Sequence, residues 1–178
     1  MEPNRHGHLP RLPKESYQGR ATVHWTMCIR DRAADWLTDL FHARFREVLV
    51  HACHRYQIAC PMFCLMPDHA HLLAQGISDD ADQSLFSRFL RGRWNALLSP
   101  LGRELQRQAY DHVLREEELE KDAFEAVAFY IAENPVRAGL VQAAGDWPFA
   151  GTMLPGYPDL DIRREGDWEL YWKLIAPS

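Results

Sequence analysis

His69 and His71 flank Ala70 in a stretch, His69-Ala70-His71-Leu72-Leu73-Ala74-Gln75, that reads as a β-strand. Strand side chains alternate between faces, so the two imidazoles point the same way, close together. Two nitrogens so placed can bind one divalent ion, with only the Ala70 methyl committed to the other face. A pair of solvated or core histidines has the same spacing, so His-x-His alone does not decide. Further along, Phe124, Val127, Ala128 and Ile131 recur at helical spacing and define a buried stripe. At about 100° per residue, Tyr130 and Asn134 fall together on the rim of that stripe. A rim side chain can enter a cleft between helix and sheet. Asn134 offers an oxygen ligand there, and Tyr130 a hydroxyl one turn earlier. A packed tyrosine followed by an Asn-Pro helix stop gives the same pattern.

The surrounding pattern supplies elements to hold these residues. Residues 20–30 are β-branched and aromatic, as in a strand, and 38–55 show helical apolar spacing that opens with Thr38 as N-cap. Residues 57–66 are apolar on both faces, as in a central strand. Pro67-Asp68 is a turn signal, so 57–66 and 69–75 read as a hairpin. A helix over 81–98, a short strand at about 108–115 and a helix from about 119 to 134, ended by Asn134-Pro135, complete the series. This order predicts an α+β fold: a ferredoxin-like split β-α-β arrangement with a central antiparallel sheet and packed helices. A chain of 178 residues suits one such domain. The expected organisation is an N-terminal arm over 1–19, a catalytic domain over 20–150 and a C-terminal tail over 151–178. Trp147-Pro148-Phe149 is expected to pack back on the core, and a helical turn or two is expected at 167–175.

Composition narrows the class. The net charge of −5 is unevenly spread, with +3 over residues 1–60, zero over 61–115 and −8 over 116–178. The acidity therefore sits in the last third and leaves the rest free to offer a positive face. The basic residues are almost all arginine, which suits bidentate phosphate contacts and equally a GC-rich genome. Cys28, Cys53, Cys60 and Cys64 form no C-x-x-C pair and sit in apolar surroundings, as buried free thiols of a reducing compartment do. No apolar run approaches a membrane span and the N-terminus lacks a signal-peptide core, so the expected location is the cytoplasm, on the nucleoid, with no membrane partner.

Several segments together resemble a known family. Met66-Pro67-Asp68-His69-Ala70-His71-Leu72-Leu73 is similar to the histidine–hydrophobic–histidine (HUH) strand of single-tyrosine, IS200-like transposases. Asp111-His112-Val113-Leu114-Arg115, the run from Tyr130 through Asn134-Pro135-Val136-Arg137 to Val141, and Trp147-Pro148-Phe149 resemble the REP-associated tyrosine transposase branch. Arg11-Leu12-Pro13 through Tyr17-Gln18-Gly19 is a looser match, and the likeness covers roughly residues 9–150 in the family's order. It implies that His69, His71 and Asn134 hold Mg²⁺ or Mn²⁺. It further implies that Tyr130 is the nucleophile and that the product is a 5′-phosphotyrosine with a free 3′-OH.

The resemblance also implies a substrate, single-stranded DNA bearing hairpins or palindromic repeats, handled by a monomer or homodimer. Arg88, Arg91 and Arg93, with Trp94 beside them, suit backbone clamping and base stacking. They fit a solvated helix face with Trp94 in the core equally well. His112 and Arg115 match family positions near the site, Arg115 as a phosphate contact. Two other readings stay open at this point. One is a catalytically silent DNA-hairpin-binding module, indifferent to Tyr130; the other is a hydrolase using the histidines with water.

Overall fold

The structure is a computed structural model, and it describes residues 11–176. Its centre is a five-stranded antiparallel sheet in the order β4-β1-β3-β2-β5, formed by β1 (Thr22–Cys28), β2 (Ile58–Leu65), β3 (His69–Gly76), β4 (Tyr110–Val113) and β5 (Ala150–Met153). The first four strands carry the expected split β-α-β order. Helix α1 (Asp39–Tyr56) connects β1 to β2, and α2 (Gln83–Leu98) connects β3 to β4. Thr38 caps α1 as expected, its hydroxyl accepting from the Phe41 amide at 3.1 Å, and Asp82 caps α2 in the same way.

One face of the sheet is closed by α1 and α2. Val23, Trp25, Met27, Phe63, Leu65, Ala70 and Leu72 meet Phe45, Leu49, Phe86, Leu90 and Trp94 there in a continuous core. Trp94 is fully buried in it. Gln83, also fully buried, ties α2 to the sheet: it accepts from Trp25 Nε1 and donates to the Ala21 and Ala74 carbonyls. Residues 11–19 of the expected arm run against this layer, with Tyr17 buried and its hydroxyl donating to Asp111; residues 1–10 lie outside the described residues. Gly19 lies so close to Gly76 that a Cβ on Gly76 would fall 1.9 Å from the Gly19 carbonyl oxygen. Only glycine fits that crossing.

The opposite face is closed over only half its width. Helix α4 (Lys121–Ala132) and α6 (Asp167–Ile175) cover Met62, Cys64 and Leu73 with Phe124, Ala128, Ile131, Trp168 and Tyr171. Pro61 has no amide hydrogen for the ladder, and the register of β2 shifts around it. Cys60 and Met62 consequently face opposite cores. All four cysteines are buried and unpaired.

Three sequence expectations are amended. The helix expected over 119–134 is broken into α3 (Glu116–Leu119) and α4, and a short α5 (Asn134–Arg137) follows. Asn134-Pro135 thus opens a new turn after the stop. The proline ring opposes the Ile131 carbonyl, which is satisfied in part by Asn134 Nδ2 at 3.1 Å. A fifth strand, β5, spans the position expected as the boundary at 150, pairing with β2. Its short, glycine-containing sequence has no alternation to betray it. Beyond it, Leu154, Leu160, Ile162, Trp168 and Tyr171 are buried. Arg163 fastens this segment, donating to the carbonyls of Ala144, Trp147 and Ala150 while pairing with Asp161. Among the described residues no helix is long and apolar enough to cross a membrane.

Candidate active site

His69 and His71 lie on the half-open face, as strand alternation requires, while Ala70 is buried in the α1–α2 core. Their Nε2 atoms are 3.1 Å apart, with the rings nearly perpendicular at 88°. Each ring is held through its other nitrogen. His69 Nδ1 lies 2.5 Å from Asp68 Oδ1, and Arg32 donates to the second oxygen of that carboxylate at 3.0 Å. Arg32 reaches it from the turn after β1, where Asp31 and Arg32 both take left-handed φ values near +55°, at 57° and 54°. Such values are costly for residues with a Cβ. His71 Nδ1 lies 3.1 Å from His24 Nε2 and 3.2 Å from Thr26 Oγ1.

Burial holds His71 neutral, its pKa lowered to about 3, with His24, His69 and Arg137 adding to the effect. His24 is lowered to about 4, again by burial first and then by His112. A neutral imidazole keeps the lone pair that metal ligation needs. The donor chemistry fits a divalent ion: two nitrogens about 2.1 Å from one centre and 3.1 Å from each other are neighbouring ligands. Among the described residues no cluster of three or more His, Cys, Asp or Glu could hold a metal.

Tyr130 comes from the end of α4 and Asn134 opens α5; α4 packs on β2 and on β3, the histidine strand. Arg137 gathers the two. Its guanidinium sits 4.0 Å from the centre of the Tyr130 ring, and it donates to the Tyr130 carbonyl at 2.8 Å and to Asn134 Oδ1 at 2.7 Å. The charge of Arg137 is also felt at His71. Tyr130 is 57% exposed, open to a substrate. Asn134 accepts the Arg137 bond through its side-chain oxygen, and its side-chain nitrogen donates to the Ile131 carbonyl.

The remaining expected contacts divide by face. His112 on β4 stands opposite His24 in the register, on the histidine side, with Nε2 2.9 Å from Glu118. Arg115 is exposed just beyond that strand. Arg88, Arg91 and Arg93 belong to α2 and so to the opposite layer. Arg91 donates to the Gln106 and Arg107 carbonyls, fixing a loop, and Arg93 stacks over Phe89 at 5.4 Å. Asp68, His24, Thr26 and Arg137 were not singled out in the sequence. Asp68 and Arg137 lie inside the quoted motifs and bond residues near in sequence, His69 in one case and Tyr130 and Asn134 in the other; only the Asp68–Arg32 contact spans a long stretch of chain. His24 and Thr26 lie on a strand 45 or more residues away from His71.

Residues 17–93, the stretch from the arm through α2 that contains both histidines, match the family described as "Transposase IS200 like". That match takes in β1, α1, the hairpin and most of α2. Over most of its length the chain is similar to a REP-associated tyrosine transposase. It is 27% identical over 163 residues to a Haemophilus influenzae protein assigned to that group, covering 78% of this chain and 90% of the relative. The fold matches a solved REP-associated tyrosine transposase bound to a REP hairpin, with TM-score 0.64, 23% identity and 81% of each chain covered.

Proposed function

We propose that this protein cuts and rejoins single-stranded DNA through a covalent link to Tyr130, with Mg²⁺ or Mn²⁺ held by His69, His71 and Asn134. The observation that carries this reading is the convergence of two anchored Nε2 atoms, 3.1 Å apart, on the sheet face that the Tyr130–Asn134 helix end overlooks. The relative whose fold this chain shares was solved with a REP hairpin, and a hairpin or palindromic repeat is accordingly the proposed substrate.

In this reaction the phenolic oxygen of Tyr130 forms a bond to phosphorus as the P–O3′ bond breaks. The phenol's proton is lost and the departing 3′ oxygen gains one. A divalent ion at the imidazole pair supplies charge neutralisation on the phosphate. The protein's own part is placement. Asp68 orients His69, and Arg137 holds the nucleophile's ring and backbone. Its guanidinium also presents positive charge where a phosphate arriving at Tyr130 would sit. Asn134 Oδ1 accepts from Arg137 with one lone pair and has a second with which it could serve as a ligand. The phosphotyrosine conserves the energy of the original ester, so a second 3′-hydroxyl can reverse the step and join strands.

The test is adduct formation. With Mn²⁺ and hairpin-bearing single-stranded oligonucleotides, wild-type protein should migrate with DNA attached on a denaturing gel, and Tyr130→Phe should bind DNA yet give no adduct. Cleavage that persists in Tyr130→Phe would point to water as the nucleophile and overturn the assignment. Binding without cleavage by wild type, across a panel of repeats, would leave a silent hairpin-binding module instead.

A further inference from the structure

Both imidazoles of the pair are anchored through Nδ1, but by different kinds of partner. A carboxylate holds His69, and an ionised carboxylate only accepts. The hydrogen of neutral His69 is therefore on Nδ1, and its lone pair is on Nε2. His71 has no such carboxylate. Its Nδ1 instead meets two groups of β1, His24 Nε2 at 3.1 Å and Thr26 Oγ1 at 3.2 Å. The register makes this possible: Thr26 is the Cα partner of His71, and His24 lies two residues along on the same face.

We propose that His24, with Thr26, is a positioning residue for His71, keeping the hydrogen on Nδ1 so that the Nε2 lone pair is turned toward His69. The inference rests on the reading of His69 and His71 as metal ligands and extends it to residues on the neighbouring strand. An imidazole nitrogen and a hydroxyl can each accept from an Nδ1–H, so both can stabilise that tautomer. In the other tautomer the hydrogen would sit on Nε2, in the 3.1 Å gap facing His69, and would occupy the place of an ion. His24 is not a ligand itself, since its Nε2 meets the Nδ1 edge of His71, on the far side of that ring from His69. Partners of this outer kind fix ring orientation and ligand basicity in metal sites generally. The sheet thus supports each ligand from a different side, with Asp68 and Arg32 behind His69 and His24 and Thr26 behind His71.

Two measurements on the full chain test this. Mn²⁺ binding, followed by loss of the free-ion electron paramagnetic resonance signal, should weaken about 10- to 100-fold in His24→Leu. His24→Gln, whose side-chain oxygen can still accept, should recover most of the affinity. An unchanged Mn²⁺ affinity in a folded His24→Leu protein overturns the proposal. So does a Gln variant as weak as the Leu variant. The second readout needs no metal: ¹⁵N spectra of the imidazoles should show a hydrogen-bearing Nδ1 and a bare Nε2 at His71 in wild type. That pattern should become mixed in a His24→Leu, Thr26→Val double variant. If wild type takes up no Mn²⁺, the metal reading fails, and the spectra then decide the positioning alone. A His71 pattern identical in wild type and double variant overturns it.

Discussion

The two faces of the sheet are built to opposite specifications. The face under α1 and α2 is closed and apolar, and the helices that close it carry six arginines against two carboxylates. The other face is only half covered, and α3, α4 and α6 on that side carry seven carboxylates against two lysines. Beside that acidic layer, where the cover stops, lie His24, His69, His71 and His112, and the positive charge of Arg137 is felt at His71. The positive layer and the candidate chemistry are thus separated by the thickness of the sheet. This teaches that net charge by chain segment, positive early and negative late, maps onto layers and not onto the site. A substrate held by both layers would have to pass around an edge of the sheet.

Variants on the two faces should fail in different ways, which is the sharpest means of breaking the contrast. His71→Ala should lose Mn²⁺ binding and adduct formation together, with thermal stability little changed; retention of Mn²⁺ binding would refute it. Trp94→Ala, in the closed core, should cost about 3–5 kcal/mol of unfolding free energy in urea titrations. At temperatures where it stays folded it should still form the adduct. Loss of chemistry there would mean that the faces are coupled.

Acid should weaken both sides of the sheet. His24 and His71 on the half-open side, and His42 against Phe63 and Phe149, are all held neutral by burial, with pKa values near 4, 3 and 4. Their folded pKa values lie below the ordinary 6.5, so below that pH the unfolded chain binds protons that the fold refuses. Stability should therefore fall as pH drops from about 6.5 toward 4, flattening again below the folded values. Urea midpoints measured across that range should show the decline, and His42→Gln should make it shallower. A midpoint independent of pH over the interval would contradict the buried, neutral assignment.

Smaller effects belong to the arginine layer. Arg88→Ala with Arg93→Ala should leave the adduct rate at saturating DNA unchanged. If those side chains meet a hairpin stem, the slope of log affinity against log salt should fall by about one per lost contact. A drop in the saturated rate would place them nearer the chemistry than α2 allows. Smallest of all, Thr38→Ala removes only the α1 cap and should cost about 1 kcal/mol, read from the same urea titrations.

Legibility followed the same division. Periodicity found α1, α2, the hairpin and the histidine strand, because each alternates or repeats within itself. It placed both imidazoles on one face and buried Ala70 on the other. Four-residue β5 escaped because a strand that short has no period to detect, and its place is set by pairing with β2 across more than 80 residues of chain. The break at Asn134 was read as an end because proline signals the loss of a hydrogen bond, not whether the chain turns helical again. Among the site residues, side chains that carry chemistry were visible by type. Those that hold them, such as His24, Thr26 and Arg137, were not, since their meaning lies in a register between strands or in a contact across a helix break.

The burial of all four thiols has a practical consequence. Reaction with maleimides proceeds through the thiolate, and burial pushes every one of these cysteines above its ordinary range, Cys64 to about 12. A single cysteine introduced at an open position such as Gly92, where an added side chain meets nothing, would accept a fluorophore on its own. Natural sequence elsewhere could be left intact, and the path of a labelled oligonucleotide across the two layers followed by energy transfer.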